Sequence, residues 1–87
     1  MILSRFLKPK WQHADPATRQ RAVLGMEKAD PTLIDLARQD LDPAVRRAAL
    51  ERLVDLDLLQ EIASADADEG VRASARNRWR TLLAGAV

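Results

Sequence analysis

Apolar residues along this chain recur every three to four positions, and the recurrence itself comes back twice. Thr18, Ala22 and Met26 form one row, Val45, Ala49 and Leu53 a second, and Val71, Ala75 and Trp79 a third. That spacing puts each row on one face of a helix. Each row opens on the same kind of segment: Asp15-Pro16-Ala17-Thr18-Arg19, Asp42-Pro43-Ala44-Val45-Arg46 and Asp68-Glu69-Gly70-Val71-Arg72. Between the openings lies a second shared pattern, Leu33-Ile34-Asp35-Leu36-Ala37 and Leu59-Gln60-Glu61-Ile62-Ala63. Each unit therefore reads as a pair of helices, and the chain as tandem copies of one such pair.

The punctuation has a mechanism. An aspartate accepts hydrogen bonds from the unpaired amides of a helix's first turn. A proline directly after it lacks the amide that would go unpaired and already has a helical φ. Asp15-Pro16, Asp30-Pro31 and Asp42-Pro43 are accordingly helix starts. Asp57 with Gln60, and Asp66 with Glu69, fit capping boxes. Helices are predicted near 2–8, 16–28, 31–39, 43–54, 57–65 and 69–84, with Gly85 as a C-terminal stop. The short first helix has its own apolar stripe of Ile2, Leu3, Phe6 and Leu7, is ended by Pro9, and would cover the open end of a stack. Trp11 lies in the connector that follows.

The expected core is Ala22, Met26, Val45, Ala49, Leu53, Val71, Ala75 and Trp79 from the first helices. Leu33, Leu36, Ala37, Leu59, Ile62 and Ala63 come from the second. Small alanines at the centre let helices approach closely while larger residues fill the flanks. Val23 and Leu50 align with Arg76, so an apolar column turns charged in the last unit. A terminal unit with a polar outer face gives that pattern, which predicts that the stack ends near here.

Composition agrees with an all-α chain. Fifteen Ala and thirteen Leu stand against one Phe and no Tyr, a balance that favours helix over strand. Eighty-seven residues make one small domain or a fragment of a larger protein. Fourteen basic and thirteen acidic residues nearly cancel to +1, which excludes a uniformly basic or acidic tail. No apolar run approaches the length of a membrane span, and the amino-terminal segment is too short in its apolar stretch for a signal peptide. With no cysteine there is no disulfide or thiolate chemistry, and the cytoplasm is the default compartment.

The repeated Asp-Pro-x-(Val or Thr)-Arg-x-x-Ala segment with paired helices resembles HEAT-like repeats over residues 15 to about 84. The resemblance implies a short α-solenoid of about two and a half repeats. Residues 1–13 would be cap and connector, 14–41 repeat one, 42–67 repeat two and 68–85 a C-terminal half repeat. The run Pro9-Lys10-Trp11-Gln12-His13 before Asp15-Pro16 is similar to the amino-terminal HEAT-like region of large proteobacterial helical proteins of unknown function. In HEAT-like repeats the matching Asp and Arg form a ladder between adjacent units. That would place Asp15, Asp42 and Asp68 on its acidic side and Arg19, Arg46 and Arg72 on its basic side. An Arg fork can bond a carboxylate or a helix-terminal carbonyl in two places, which pins the register of stacked units. The rival reading leaves the three guanidinium groups free as a phosphate-facing row, and an aspartate supplied for each counts against it.

Charge is uneven along the chain. Asp55, Asp57, Glu61, Asp66, Asp68 and Glu69 fall in a stretch without a base, whereas 70–87 holds Arg72, Arg76, Arg78 and Arg80 without an acid. The acids suit helix starts, where the dipole favours them. Arg76, Arg78 and Arg80 are candidate contacts for an acidic partner or for nucleic acid, although no aromatic stacking set accompanies them. No catalytic, metal or cofactor set is legible. His13 stands alone, Ser4, Ser64 and Ser74 have no elbow motif, and the three glycines are scattered. The expectation is a non-enzymatic protein-interaction or scaffold module with an unidentified protein partner, with nucleic-acid binding through the Arg-rich face as the alternative.

Overall fold

All three Asp-Pro steps open a helix in the structure, a computed structural model that describes residues 9–28 and 30–85. The described residues form five α-helices and no strand: α1 (Pro16–Leu24), α2 (Pro31–Gln39), α3 (Pro43–Leu50), α4 (Leu56–Ala65) and α5 (Glu69–Gly85). A single 3₁₀ turn over Lys10–Gln12 precedes them. The helix expected over 2–8 lies outside the described residues.

Local chemistry sets the helix starts. The Asp15, Asp30 and Asp42 carboxylates accept from the amides of Ala17 (3.3 Å), Thr32 (2.9 Å) and Ala44 (2.8 Å). The fourth helix starts earlier than predicted, because Asp55 rather than Asp57 is its cap, accepting from Leu58 N at 3.1 Å. Asp57 sits inside the first turn, where its charge suits the dipole. At α5 the expected Asp66–Glu69 box gives way to Asp68, which accepts from Val71 N at 2.9 Å. Asp42→Ala is expected to lower stability by about 1 kcal/mol, the usual loss for a removed cap, and a denaturant titration measures it.

The helix ends differ more. The predicted stretches 16–28 and 43–54 stop as α-helix at Leu24 and Leu50. Each then tightens into a turn closed by three-residue bonds, Gly25 N to Ala22 O and Met26 N to Val23 O, then Arg52 N to Ala49 O and Leu53 N to Leu50 O. Such turns satisfy end carbonyls. Leu53 still points into the core and Met26 packs against it, so the apolar period ran on past the helix.

Packing is sequential. α2 lies against α3, α4 against α5, and α1, α3 and α5 touch in turn, with the 3₁₀ turn against α1. α3 therefore has neighbours on three sides. The core comprises Val23, Leu33, Leu36, Ala37, Val45, Ala49, Leu50, Leu53, Leu58, Leu59, Ile62, Val71 and Ala75, all buried. Trp11, Met26, Ala63 and Trp79 pack on it half-buried. Ala22 is half-buried, unlike Ala49 and Ala75 in its column. Leu58 was not expected in the core. Val23 and Leu50 are fully enclosed while Arg76, their counterpart, is exposed.

Candidate functional site

The three arginines that follow the first-helix caps all bend back across their helix starts. Arg19 donates through Nη1 to the carbonyls of His13 (2.7 Å) and Ala14 (3.0 Å). Arg46 does the same to Asp40 (2.7 Å) and Leu41 (3.4 Å), and Arg72 to Asp66 (2.6 Å). In each case the nearest acceptor lies six residues back, where the chain approaches the helix. The guanidinium thus ties a helix to its own lead-in segment.

The other edge of the fork reaches the next lead-in. Arg19 Nε and Nη2 donate to the two oxygens of Asp40 at 2.9 and 3.0 Å. Arg46 repeats this with Asp66 at 2.9 and 3.0 Å. The acidic side of the ladder is therefore Asp40 and Asp66, not Asp15, Asp42 and Asp68. Those three carboxylates are occupied as helix caps, and a carboxylate turned toward a first-turn amide is turned away from the neighbouring unit's arginine. Asp40 and Asp66 each accept one further bond, from the amides of Asp42 and Asp68 at 2.9 Å. One carboxylate thus fixes its own lead-in and grips the preceding helix. The sequence signal was an Asp-x-Asp doublet, Asp40-Leu41-Asp42 and Asp66-Ala67-Asp68, ahead of both later helices. The first lead-in has His13 in the corresponding place, with Nδ1 accepting from Asp15 N at 3.0 Å.

Both clamps are largely enclosed, with side-chain exposures of 14% and 5% for Arg19 and Asp40 and 12% and 6% for Arg46 and Asp66. Bidentate pairs with little water around them are the strong class of ion pair. The Asp40 carboxylate raises the Arg19 pKa through its hydrogen bond, against the opposing effect of burial. At Asp66 burial pushes the carboxyl up, and the hydrogen bonds from Arg46 and Asp68 with the charges of Arg46 and Arg72 outweigh it, so the net shift is down. Asp15 is also held low, first by the Ala17 amide and then by the Thr18 hydroxyl. A carboxylate whose folded pKa is depressed contributes stability above its unfolded value, and that stability is lost as pH falls through the folded value. Stability is therefore expected to fall on acidification below about pH 4, and Asp66→Asn to flatten that fall; an unchanged acid profile in the variant would contradict the assignment.

A second set of ties escaped sequence reasoning. Arg52 donates through Nη2 to the Met26 carbonyl, and Arg78 through Nε to the Leu53 carbonyl at 3.0 Å. Both acceptors lie in the turn that ends the preceding first helix. Arg78 was expected as an interaction residue and instead anchors α5 to the end of α3, half-buried. Its alignment with Arg52 in the repeat register was the available signal. Arg76 and Arg80 are exposed, as expected. The phosphate-facing row is not formed, since Arg19 and Arg46 are both consumed by carboxylates.

Among the described residues no group of three or more His, Cys, Asp or Glu side chains is placed to hold a metal. No described helix is long and apolar enough to cross a membrane. No family model, curated protein or solved structure matches the chain.

Proposed function

We propose that the chain is a protein-interaction or scaffold module, a short α-solenoid of HEAT-like helix pairs. The observation that carries this reading is the recurrence of one bracket: Arg19 with Asp40 and Arg46 with Asp66 make the same set of bonds between successive lead-ins. A bracket repeated at fixed spacing holds successive helices in one orientation, so equivalent positions are displayed side by side on an extended surface. The elongated form, 50 × 27 × 17 Å, suits that surface.

The immobilised chain is expected to retain a specific protein from a soluble cell extract, and the two purified proteins to re-form the complex. A chain that binds no protein and turns over a substrate overturns the reading. Titration with duplex DNA and single-stranded RNA at low salt is expected to give no binding. Salt-sensitive binding there would favour a nucleic-acid partner.

A further inference from the structure

We propose that the outer face of α5 carrying Arg72, Arg76 and Arg80 binds an acidic peptide segment, one of whose aspartates completes the fork that Arg72 leaves open. The inference rests on the interaction-module reading and names the partner's chemistry.

Arg72 is a ladder arginine with half its bonds. Its Nη1 is fixed on the Asp66 carbonyl at 2.6 Å, as Nη1 of Arg46 is fixed on Asp40. In Arg19 and Arg46 the Nε–Nη2 edge then takes both oxygens of an aspartate. The same edge of Arg72 has no hydrogen-bond or ion-pair partner among the described residues. The guanidinium is thus held by one edge and offers the other. A planar fork fixed in advance loses little freedom when a carboxylate arrives.

The surroundings select for acid. Val23 and Leu50, at the place corresponding to Arg76, are fully buried. A further unit of the same kind would bring an apolar surface against Arg76, where an acidic segment brings a counter-charge. Residues 70–87 carry four arginines and no acid. One turn along α5 from Arg72, a groove of 380 Å³ lined by Gln60, Ala63, Ser64, Arg76 and Trp79 offers apolar and polar contacts to the rest of such a segment.

A second copy stacked head to tail is the poorer occupant. Its first lead-in would present His13 where Asp40 and Asp66 stand in the later ones. That imidazole offers no carboxylate to close the open edge of Arg72.

The probe is a synthetic peptide of residues 55–69, which carries six acids, no base and the Asp66-Ala67-Asp68 doublet that Arg46 grips in the fold. Titrated into the intact chain by calorimetry with Trp emission in parallel, it is expected to bind. Arg72→Gln should weaken binding by about ten-fold or more, and the peptide with Asp66→Asn should lose a similar factor. Arg76→Gln with Arg80→Gln, both exposed and without a side-chain bond among the described residues, should weaken it several-fold and most at low salt. Circular dichroism checks that each variant is folded. Equal binding by wild type and both variants overturns the proposal, as does no binding by wild type up to about 1 mM peptide. Self-association in sedimentation that Arg72→Gln abolishes overturns it in favour of a second copy. If the peptide fails while a captured partner still binds Arg72→Gln, this inference falls and the module reading stands.

Discussion

Leu50→Asp is expected to leave the chain without a cooperative unfolding transition, its helical circular dichroism largely lost at room temperature. Leu50 has no exposed surface and is among the largest fully enclosed side chains. It sits on α3, which touches α1, α2 and α5, so its site belongs to most of the core at once. Removing a buried leucine side chain costs roughly 2–5 kcal/mol. Among the described residues no charged side chain is buried to meet a carboxylate there, and the penalty for an unpaired buried charge adds several kcal/mol more. The sum matches or exceeds the roughly 5–15 kcal/mol that holds an ordinary domain together, and a short chain stands at the low end. Leu50→Ala should fold with about 2–5 kcal/mol less stability. Leu41→Asp, at a side chain 93% exposed, should change it by no more than about 0.5 kcal/mol. A Leu50→Asp chain that melts like wild type would mean that α3 is not the centre of the core.

Breaking the second clamp is the next largest effect. Arg46→Gln or Asp66→Ala is expected to cost about 3–5 kcal/mol, because either change leaves the partner charge enclosed without its counter-charge. Each residue also holds backbone: Arg46 the Asp40 carbonyl, Asp66 the Asp68 amide. The double variant Arg46→Met with Asp66→Leu should therefore cost less than the two single changes together, yet not return to wild-type stability. The coupling read from the four proteins is expected to be about 1–3 kcal/mol. Arg38→Gln supplies the contrast. Its pair with Glu61 spans 3.4 Å with both side chains about half exposed, and loss of such a pair costs at most about 1 kcal/mol. If Arg46 and Arg38 variants lose the same stability, the clamp is not what keeps successive helices in register.

These two effects differ in how far they could be foreseen. Leu50 was readable as part of an apolar column with Val23, since helical spacing alone places it inward. The clamp was readable only in kind. The resemblance to HEAT-like repeats implied an Asp–Arg ladder; Arg19 and Arg46 do pair with aspartates, but with Asp40 and Asp66. The cap aspartates are committed by bonds two or three residues long, which any helix start of this type makes. Which remaining carboxylate meets an arginine 20 or 21 residues away depends on how two lead-ins lie side by side, and no local spacing encodes that. Arg78 illustrates the same limit: its charge suggested solvent, while the packing of α5 on the end of α3 gave it a carbonyl.

Determined by the sequence alone, then, were the all-α class, the three Asp-Pro helix starts and most of the enclosed face. Each depends on bonds or periodicities spanning a few residues, which the chain makes wherever it lies. The tertiary structure decided where α1 and α3 stop, which aspartates the arginines hold and that Arg72 keeps one edge open. Those outcomes depend on the approach of segments twenty or more residues apart, and only the packed core fixes how closely they meet.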